Sequence, residues 1–498
     1  MARLTIYFTS DTHGYLYNTT FAGDRNTEKP MGLLGMTFPR DENTLVIDGG
    51  DTLQGSPLTF YLKERNISDF VSEVMNERGF QYVTLGNHDF NYGPEWLGTY
   101  LGNLKATCLC ANVRDLEGRL PLKPCEVVTL GNGLRVGLFG IVTDWVNLWE
   151  KPENLTTLRV TDPMEAARSA VSELQREGCD VIVGIYHGGV EKDLEDGHLL
   201  SQTDENIACR LCEELSIDLL LTGHQHIAMA DRQWHGTHLC QTPCNALQYV
   251  KAELLEDGTW HSELLTPMAH QAWSEREEQI RDEVETWLDQ PIGHLSRDIW
   301  PEDKLQMALH GSPIADFFNM VQLWASGADI SLTCLGNEVR GFSKHVTVRD
   351  VVASYTYSNT LVILEATGKQ IREAIEQTAT YFAWEDGQVT ISESFLKPKA
   401  AHFNYDYFAG VNYVVDLTRP EGHRVTSLTR DGRELRDDEV FTVCLNNYRA
   451  TGAGEYPMWT EAKRVREIQR EISELILEYL KEHDFVEIPD ASPFRTVT

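Results

Sequence analysis

The chain has 498 residues, too many for one ordinary hydrophobic core, so two domains are expected. Its 42% hydrophobic and 24% charged residues are those of a globular protein in water, and no apolar run approaches the ~18–20 residues of a membrane span. A formal net charge of −33 disfavours a nucleic-acid polymer as partner, since such binding needs clustered Lys and Arg; most of these carboxylates read as a solubilising surface.

The first half alternates apolar runs with helical patterns, which predicts an α/β or layered α+β fold. Leu4-Thr5-Ile6-Tyr7-Phe8 reads as a strand that begins almost at once, leaving no room for a secretory leader. A cytoplasmic protein is therefore expected, unless a leader has been removed. That strand runs into Thr9-Ser10-Asp11-Thr12-His13-Gly14. Thr44-Leu45-Val46-Ile47 runs into Asp48-Gly49-Gly50-Asp51, and Gln81-Tyr82-Val83-Thr84-Leu85 into Gly86-Asn87-His88-Asp89-Phe90-Asn91. Val127–Leu130 and Leu134–Gly140 flank Gly131-Asn132-Gly133, a local hairpin signal. Asp162-Pro163-Met164-Glu165 opens a helix as a capping box, and Gly178 can end it. Val181–Tyr186 delivers His187, and Asp218–Leu221 delivers Gly223-His224-Gln225-His226.

The stretch from about Gln271 to Leu288 is strongly charged and predicts a solvated linker helix, with the domain boundary near Pro291. Beyond it, Leu361–Glu365 reads as a strand, and Thr367-Gly368-Lys369-Gln370 as the capping box of a helix burying Ile371, Ala374, Ile375 and Thr378. Ile468, Ile472, Leu475, Ile476, Tyr479 and Leu480 repeat at helical spacing as a core-facing stripe. Cys108, Cys110, Cys179, Cys209, Cys334 and Cys444 sit in or beside apolar runs as free thiols do. Cys209/Cys212 and Cys240/Cys244 imitate zinc-ribbon spacing, but the first pair falls in an apparent helix, and reduced core cysteines are expected.

Five loops of the first half each follow a buried strand and together carry Asp11, His13, Asp51, Asn87, His88, His187, His224 and His226. Carboxylate plus imidazole is the mixed N/O set of Mn, Zn or Fe, and the absence of thiols argues against a purely structural zinc site. Two metals about 3.5–4 Å apart need one bridging carboxylate with both flanks filled, which this set can supply.

Asp11-x-His13, Gly50-Asp51, Gly86-Asn87-His88-Asp89, His187 and Gly223-His224-x-His226 resemble, in order, the motifs of the calcineurin-like binuclear metallophosphoesterases. The resemblance implies two divalent metal ions (Mn, Zn, Fe or Co). Asp11, His13 and His226 would hold one, Asn87, His187 and His224 the other, and Asp51 would bridge them. It further implies attack of a metal-bound hydroxide on phosphorus, with His88 as acid or electrostatic partner rather than ligand. The second half is similar to the C-terminal domain of the 5'-nucleotidase family, through Phe403-Asn404-Tyr405-Asp406…Gly410-Val411-Asn412-Tyr413 and Asn446-Asn447-Tyr448-Arg449-Ala450. These patterns, with Tyr355-Thr356-Tyr357-Ser358-Asn359-Thr360-Leu361, look most like the 2',3'-cyclic-nucleotide 2'-phosphodiesterase/3'-nucleotidase branch.

The implied architecture is a four-layer αββα metallophosphoesterase sandwich over 1–268, a linker helix over 269–290 and a C-terminal α/β 5'-nucleotidase-type domain over 291–498. Tyr405 and Tyr448 would stack the nucleobase, a contact worth about 1–3 kcal/mol per base, with Asn446 and Asn447 beside them. The site would then lie between domains. The chain departs from the 5'-nucleotidases at Leu335-Gly336-Asn337-Glu338-Val339-Arg340, where Arg340 is a remnant of their phosphate/sugar segment. It departs again at Gly454, where they carry a ribose-binding Asp, and at Asn91, a neutral partner for His88 where many of them carry Asp. The expected activity is hydrolysis of a small nucleotide phosphoester, without membrane or nucleic-acid polymer. The alternatives are a phosphatase of a sugar phosphate and a non-catalytic nucleotide- or metal-binding module.

Overall fold

The structure is a computed structural model that describes residues 2–21, 28–200, 204–269, 273–357, 359–385, 387–397, 400–468 and 470–497. Gln271 and Ser358, used in the sequence reading, lie outside the described residues. The chain divides into two compact units, Met1–Val284 and Glu285–Thr498.

The first unit holds two large sheets. One has seven strands in the order Trp260–Leu265, Tyr249–Leu255, Ala2–Thr9, Thr44–Asp48, Tyr82–Val83, Thr107–Leu109 and Leu122–Lys123, parallel from Ala2–Thr9 onward. The other has six, in the order Met229–Trp234, Thr237–Gln241, Leu219–Thr222, Val181–His187, Arg135–Val142 and Cys125–Thr129. Alternate residues of both sheets, among them Leu4, Ile6, Phe8, Leu45 and Ile47 from one and Leu138, Val183, Ile185 and Leu221 from the other, form one continuous buried core. Strand side chains alternate between faces, so this set is the inner face of each sheet. The outer face of the six-stranded sheet is covered by the helices Pro163–Arg176 and Ala208–Glu214, which bury Ala167, Val171 and Leu174, and Ala208, Leu211 and Cys212, against Phe139, Ile182 and Leu220.

Local signals account for many boundaries. The hairpin forms as Cys125–Thr129 against Arg135–Val142, with Val128 opposite Val136 and Gly133 at φ 85°. Asp162 caps its helix by accepting from Met164 N and Glu165 N at 2.7 and 3.0 Å; the Glu165 side chain completes no box. The helix Glu275–Leu288 is not the solvated linker expected, because Ile280, Val284, Trp287 and Leu288 are buried.

The second unit has a five-stranded sheet ordered Asp406–Ala409, Ile330–Cys334, Val440–Asn446, Leu361–Thr367 and Lys463–Ile468, and a four-stranded sheet ordered Arg433–Glu434, Val425–Arg430, Asn412–Asp416 and Phe494–Val497. The Thr367/Gln370 capping box forms and its helix buries Ile371, Ala374, Ile375 and Thr378. The C-terminal stripe begins at Ile472, in the helix Ile472–Glu482; Ile468 ends a strand instead. All ten cysteines are free, and none joins a metal-type cluster among the described residues.

Candidate metal centre

Each metal-type residue sits at the carboxyl end of a central strand, where ligands collect in α/β sheets. Asp11 and His13 follow Ala2–Thr9, Asp51 follows Thr44–Asp48, and Asn87 and His88 lie in the short turn Asn87–Phe90 after Tyr82–Val83. These three strands are consecutive in the seven-stranded sheet. His187 ends Val181–His187, and His224 and His226 follow Leu219–Thr222, its neighbour in the six-stranded sheet.

The loops are tied to one another before any ligand is considered. Asp11 N donates to Gly50 O at 2.9 Å and His13 N to Asp51 O at 2.8 Å. The Asp89 carboxylate accepts from Asp51 N, Thr52 N, Leu53 N and Gly86 N at 2.8–3.0 Å, locking the second loop to the third. His224 N donates to the Asp11 carboxylate at 2.9 Å, which ties the two sheets' loops together. The approach is close enough to require glycine at 86 and 223: a Cβ there would stand 2.2 Å from Asp51 Oδ1 and 2.6 Å from Asp11 Oδ2.

The donor atoms converge in two groups. Asp11, His13 and His226 form one, with His13 Nε2 3.2 Å from His226 Nε2, which is itself 3.4 Å from Asp11 Oδ1. In the other, Asn87 Oδ1 stands 3.2 Å from His187 Nε2 and 2.9 Å from His224 Nδ1. Asp51 Oδ2 lies 3.2 Å from His187 Nε2, and Asp11, Asp51 and His187 cluster in turn, so the two aspartates stand between the groups.

The surroundings fix which ring nitrogen faces inward. His187 Nδ1 donates to Gly49 O at 2.7 Å and His13 Nδ1 to Gln54 O at 2.9 Å, so Nε2 of each ring points into the site. Glu205 Oε1, 2.8 Å from His224 Nε2, accepts that ring's proton and leaves Nδ1 facing Asn87; Trp149 stacks on the same ring at 5.4 Å. Ring nitrogens and side-chain oxygens thus face one another in a partly buried pocket, an arrangement that calls for positive charge. The N/O donor set fits divalent metals.

The electrostatics agree. Burial works against charge on His187, but Asp51 and Asp11 outweigh it and raise its pKa to about 10. Burial also opposes charge on His226, yet its hydrogen bond to Asp11 raises it to about 9. Despite burial, His187 and His88 hold the Asp51 carboxyl well below the usual carboxylate range. His13, where burial wins, is pushed down to about 4. Two buried carboxylates thus draw cations to this point.

His88 N donates to Asp51 Oδ1 at 2.7 Å, its ring stands edge-on to His13 at 5.2 Å, and its Nδ1 lies 2.8 Å from Asn91 Oδ1. Glu205, beside His224, and Glu150, which accepts from Asn91 Nδ2 at 2.6 Å, carry no motif in the sequence that marks them.

The substrate residues expected in the second unit fare differently. Tyr405 is 5% exposed, packs edge-on against Tyr381, Phe382 and Tyr407, and donates its hydroxyl to Ala308 O at 2.8 Å. It has no free face for a base, which corrects the clamp assignment. Phe403, two residues earlier, is the half-buried ring beside Tyr448, edge-on to it with centroids 6.4 Å apart at 70°. Asn446 is also corrected: it is buried, and its Oδ1 caps the helix Asn447–Ala450 by accepting from Arg449 N at 2.7 Å. Asn447 Oδ1 accepts from Thr360 N at 3.1 Å. Arg340 pairs with Asp350 at 3.3 Å, a partner that gives no support to a phosphate-binding role. The fully buried Arg449 clamps the aromatic loop, pairing with Asp406 at 2.8 Å and donating to Phe403 O at 3.0 Å.

Residues 4–228 match the family model described as calcineurin-like phosphoesterase, and 291–461 match the 5'-nucleotidase C-terminal domain. A candidate 5'-nucleotidase of known structure from Staphylococcus aureus is 33% identical with a TM-score of 0.89, covering 99% of this chain and 100% of that one. The 2',3'-cyclic-nucleotide 2'-phosphodiesterase/3'-nucleotidase of Salmonella typhimurium is 24% identical over 90% of this chain and 81% of its own length. The trifunctional nucleotide phosphoesterase protein of Bacillus subtilis is 24% identical over 97% of this chain, which spans 38% of that longer relative. With two family models matched in order and a third of its residues shared with a chain of the same extent, this protein belongs to the 5'-nucleotidase family of calcineurin-like metallophosphoesterases, metal-dependent hydrolases of phosphoester bonds.

Proposed function

We propose that this chain hydrolyses nucleotide phosphoesters of the 2',3'-cyclic, 3'- or 5'-monophosphate type at a site for two divalent cations. One cation is held by Asp11, His13 and His226, the other by Asn87, His187 and His224, with Asp51 between them. The observation that carries this reading is the convergence of inward-facing nitrogen and carboxylate or amide oxygen atoms into two adjoining groups. When bound, such cations supply Lewis acidity toward a phosphoryl oxygen and activate water at neutral pH. The chain's own part is to hold the donors at fixed separation and to place His88 beside them, where its ring stabilises charge developing on the phosphoryl or leaving-group oxygen.

The nucleotide assignment draws on the activities named for the relatives and on Phe403 and Tyr448, whose half-buried rings suit a flat base. Phosphate release from 2',3'-cyclic AMP, 3'-AMP, 5'-AMP and a sugar phosphate, each with Mn²⁺, tests the reading. Turnover of at least one nucleotide above the sugar phosphate is expected; turnover of the sugar phosphate alone would refute the substrate class. Asp51→Ala should abolish turnover, and an unchanged rate would remove the site.

A further inference from the structure

Asn91 does not end the hydrogen-bond path from His88. Its Nδ2 donates to Glu150 Oε2 at 2.6 Å, and Glu150 is 7% exposed. The other carboxylate oxygen, Oε1, accepts from Lys151 N at 2.7 Å and Asn154 Nδ2 at 2.8 Å; the same Asn154 amide donates to Asn91 O at 3.0 Å. Glu150 is therefore surrounded by N–H donors on both oxygens. It follows the one-turn helix Val146–Trp149, 59 residues along the chain from Asn91.

An amide side chain has one accepting and one donating end, and its orientation is set by its strongest partner. Glu150 accepts only, so the Asn91 NH₂ must face it. Oδ1 then faces His88, whose Nδ1 must carry the proton, leaving Nε2 unprotonated in the neutral ring. A carboxylate one side chain removed thereby selects the tautomer of the imidazole.

From this geometry we infer that Glu150 is a positioning residue for phosphoester hydrolysis: through the Asn91 amide it holds His88 in the Nδ1–H form. The inference rests on the reading of His88 given above, but its structural half stands apart from it.

The arrangement predicts a specific inversion. In Glu150→Gln the two donors at Lys151 N and Asn154 Nδ2 require the carbonyl at the Oε1 position, so the new NH₂ must face Asn91. Asn91 then turns its Oδ1 to Gln and its NH₂ to His88, and the ring moves to the Nε2–H form. In the double variant Asn91→Asp/Glu150→Gln the carboxylate moves one place inward. It accepts from the Gln NH₂ and from His88 Nδ1–H, restoring the first tautomer at unchanged net charge.

The tautomer is read directly from imidazole ¹⁵N shifts in metal-free, ¹⁵N-histidine-labelled protein, with His88→Gln to assign the signal and a pH at which the ring is neutral. The expected pattern is Nδ1–H in the wild type, Nε2–H in Glu150→Gln and Nδ1–H in the double variant. With Mn²⁺ loaded, kcat/KM on the nucleotide that wild type turns over should fall roughly 10–100-fold in Glu150→Gln, the range for losing an orienting partner, and recover in the double variant to within a few-fold of wild type. Retention of Nδ1–H in Glu150→Gln would overturn the relay, as would a double variant no faster than the single. A wild type without phosphoesterase activity would instead sink the proposed function, while the tautomer pattern would still decide the relay.

Discussion

Asp89 supports the site without contributing a ligand, and replacing it with Asn tests whether the loops are preassembled. Its Oδ1 accepts from Thr52 N and Leu53 N, both at 2.9 Å, and its Oδ2 from Asp51 N and Gly86 N at 3.0 and 2.8 Å. An Asn amide in the same place can accept at one end only. Whichever way it turns, two buried backbone N–H groups meet an NH₂ and lose their partner. At roughly 1–3 kcal/mol for each orphaned donor, the local loss is about 2–6 kcal/mol, borne by the segments carrying Asp51 and Asn87. Hydrogen exchange read by mass spectrometry on the full metal-free chain isolates that loss. Peptides covering 48–56 and 84–90 should exchange about thirtyfold faster or more in Asp89→Asn, since ~1.4 kcal/mol is a factor of ten. Strands remote from these loops should be little changed. If both peptides stayed within threefold of wild type, the four hydrogen bonds would not be what assembles the site.

Other expectations follow from single contacts. Burial raises the Asp48 carboxyl from 3.8 to about 7, so the folded state binds a proton more tightly than the unfolded chain. The stability this confers is complete below about pH 4 and lost as pH rises through 7, about 4 kcal/mol in all. Its partners Thr9 and Thr52 have hydroxyls that can accept as well as donate, so Asp48→Asn should gain in Tm over wild type between pH 4 and 8; a constant difference would contradict the assignment. Phe403→Ala and Tyr448→Ala should raise the nucleotide KM by about 1–3 kcal/mol of lost stacking, while Tyr405→Leu, which removes a buried ring, should lower stability and leave KM unmoved; the reverse pattern would restore Tyr405 as the clamp. Arg449→Met should cost about 3–5 kcal/mol in thermal or chemical unfolding, because it leaves the Asp406 carboxyl buried without its partner, and a loss under 1 kcal/mol would mean that the pair is solvated.

What could be read from the sequence follows a simple division. The residues at the candidate centre sit on the first few positions after short apolar strands, so each loop advertises itself locally and only their convergence needs the fold. Glu150 and Glu205 carry no such signal. Both lie on irregular segments among many carboxylates, and they meet Asn91 and His224 only because the six-stranded sheet's connections return over the site. The aromatic loop misleads for a different reason. Tyr405 and Tyr407 flank the start of Asp406–Ala409, where period-two alternation sends both inward. Phe403 belongs to the turn His402–Asn404, where no such period applies. Asn446 is a readable helix cap, yet an amide beside a tyrosine reads equally well as a base contact. The stripe that includes Ile468 shows how four-residue spacing can continue by chance from a strand into a helix.

One property of the site leaves no trace in composition or spacing. Asp11, His13, Asp51, His224 and His226 all have φ between 49° and 70°, a left-handed conformation that disfavours residues with a Cβ. At about 1–2 kcal/mol each, this strain is comparable to a large part of a domain's net stability, so it persists only where the surroundings over-determine it. They do so here: Asp11 N and His13 N are bonded to the next loop, Asn245 N donates to Asp11 O at 2.8 Å, and His224 N is held by the Asp11 carboxylate. Glycine would relieve the strain and would have marked these turns in the sequence, but it would remove the donors. That the chain keeps carboxylate and imidazole at five strained positions, while placing glycine beside them at 14, 50 and 223, argues that their direction is selected by the chemistry of the site and held by the backbone ties. Weakening those ties, as Asp89→Asn does, should therefore let the strained loops relax, and divalent-ion affinity should fall even though every proposed ligand remains.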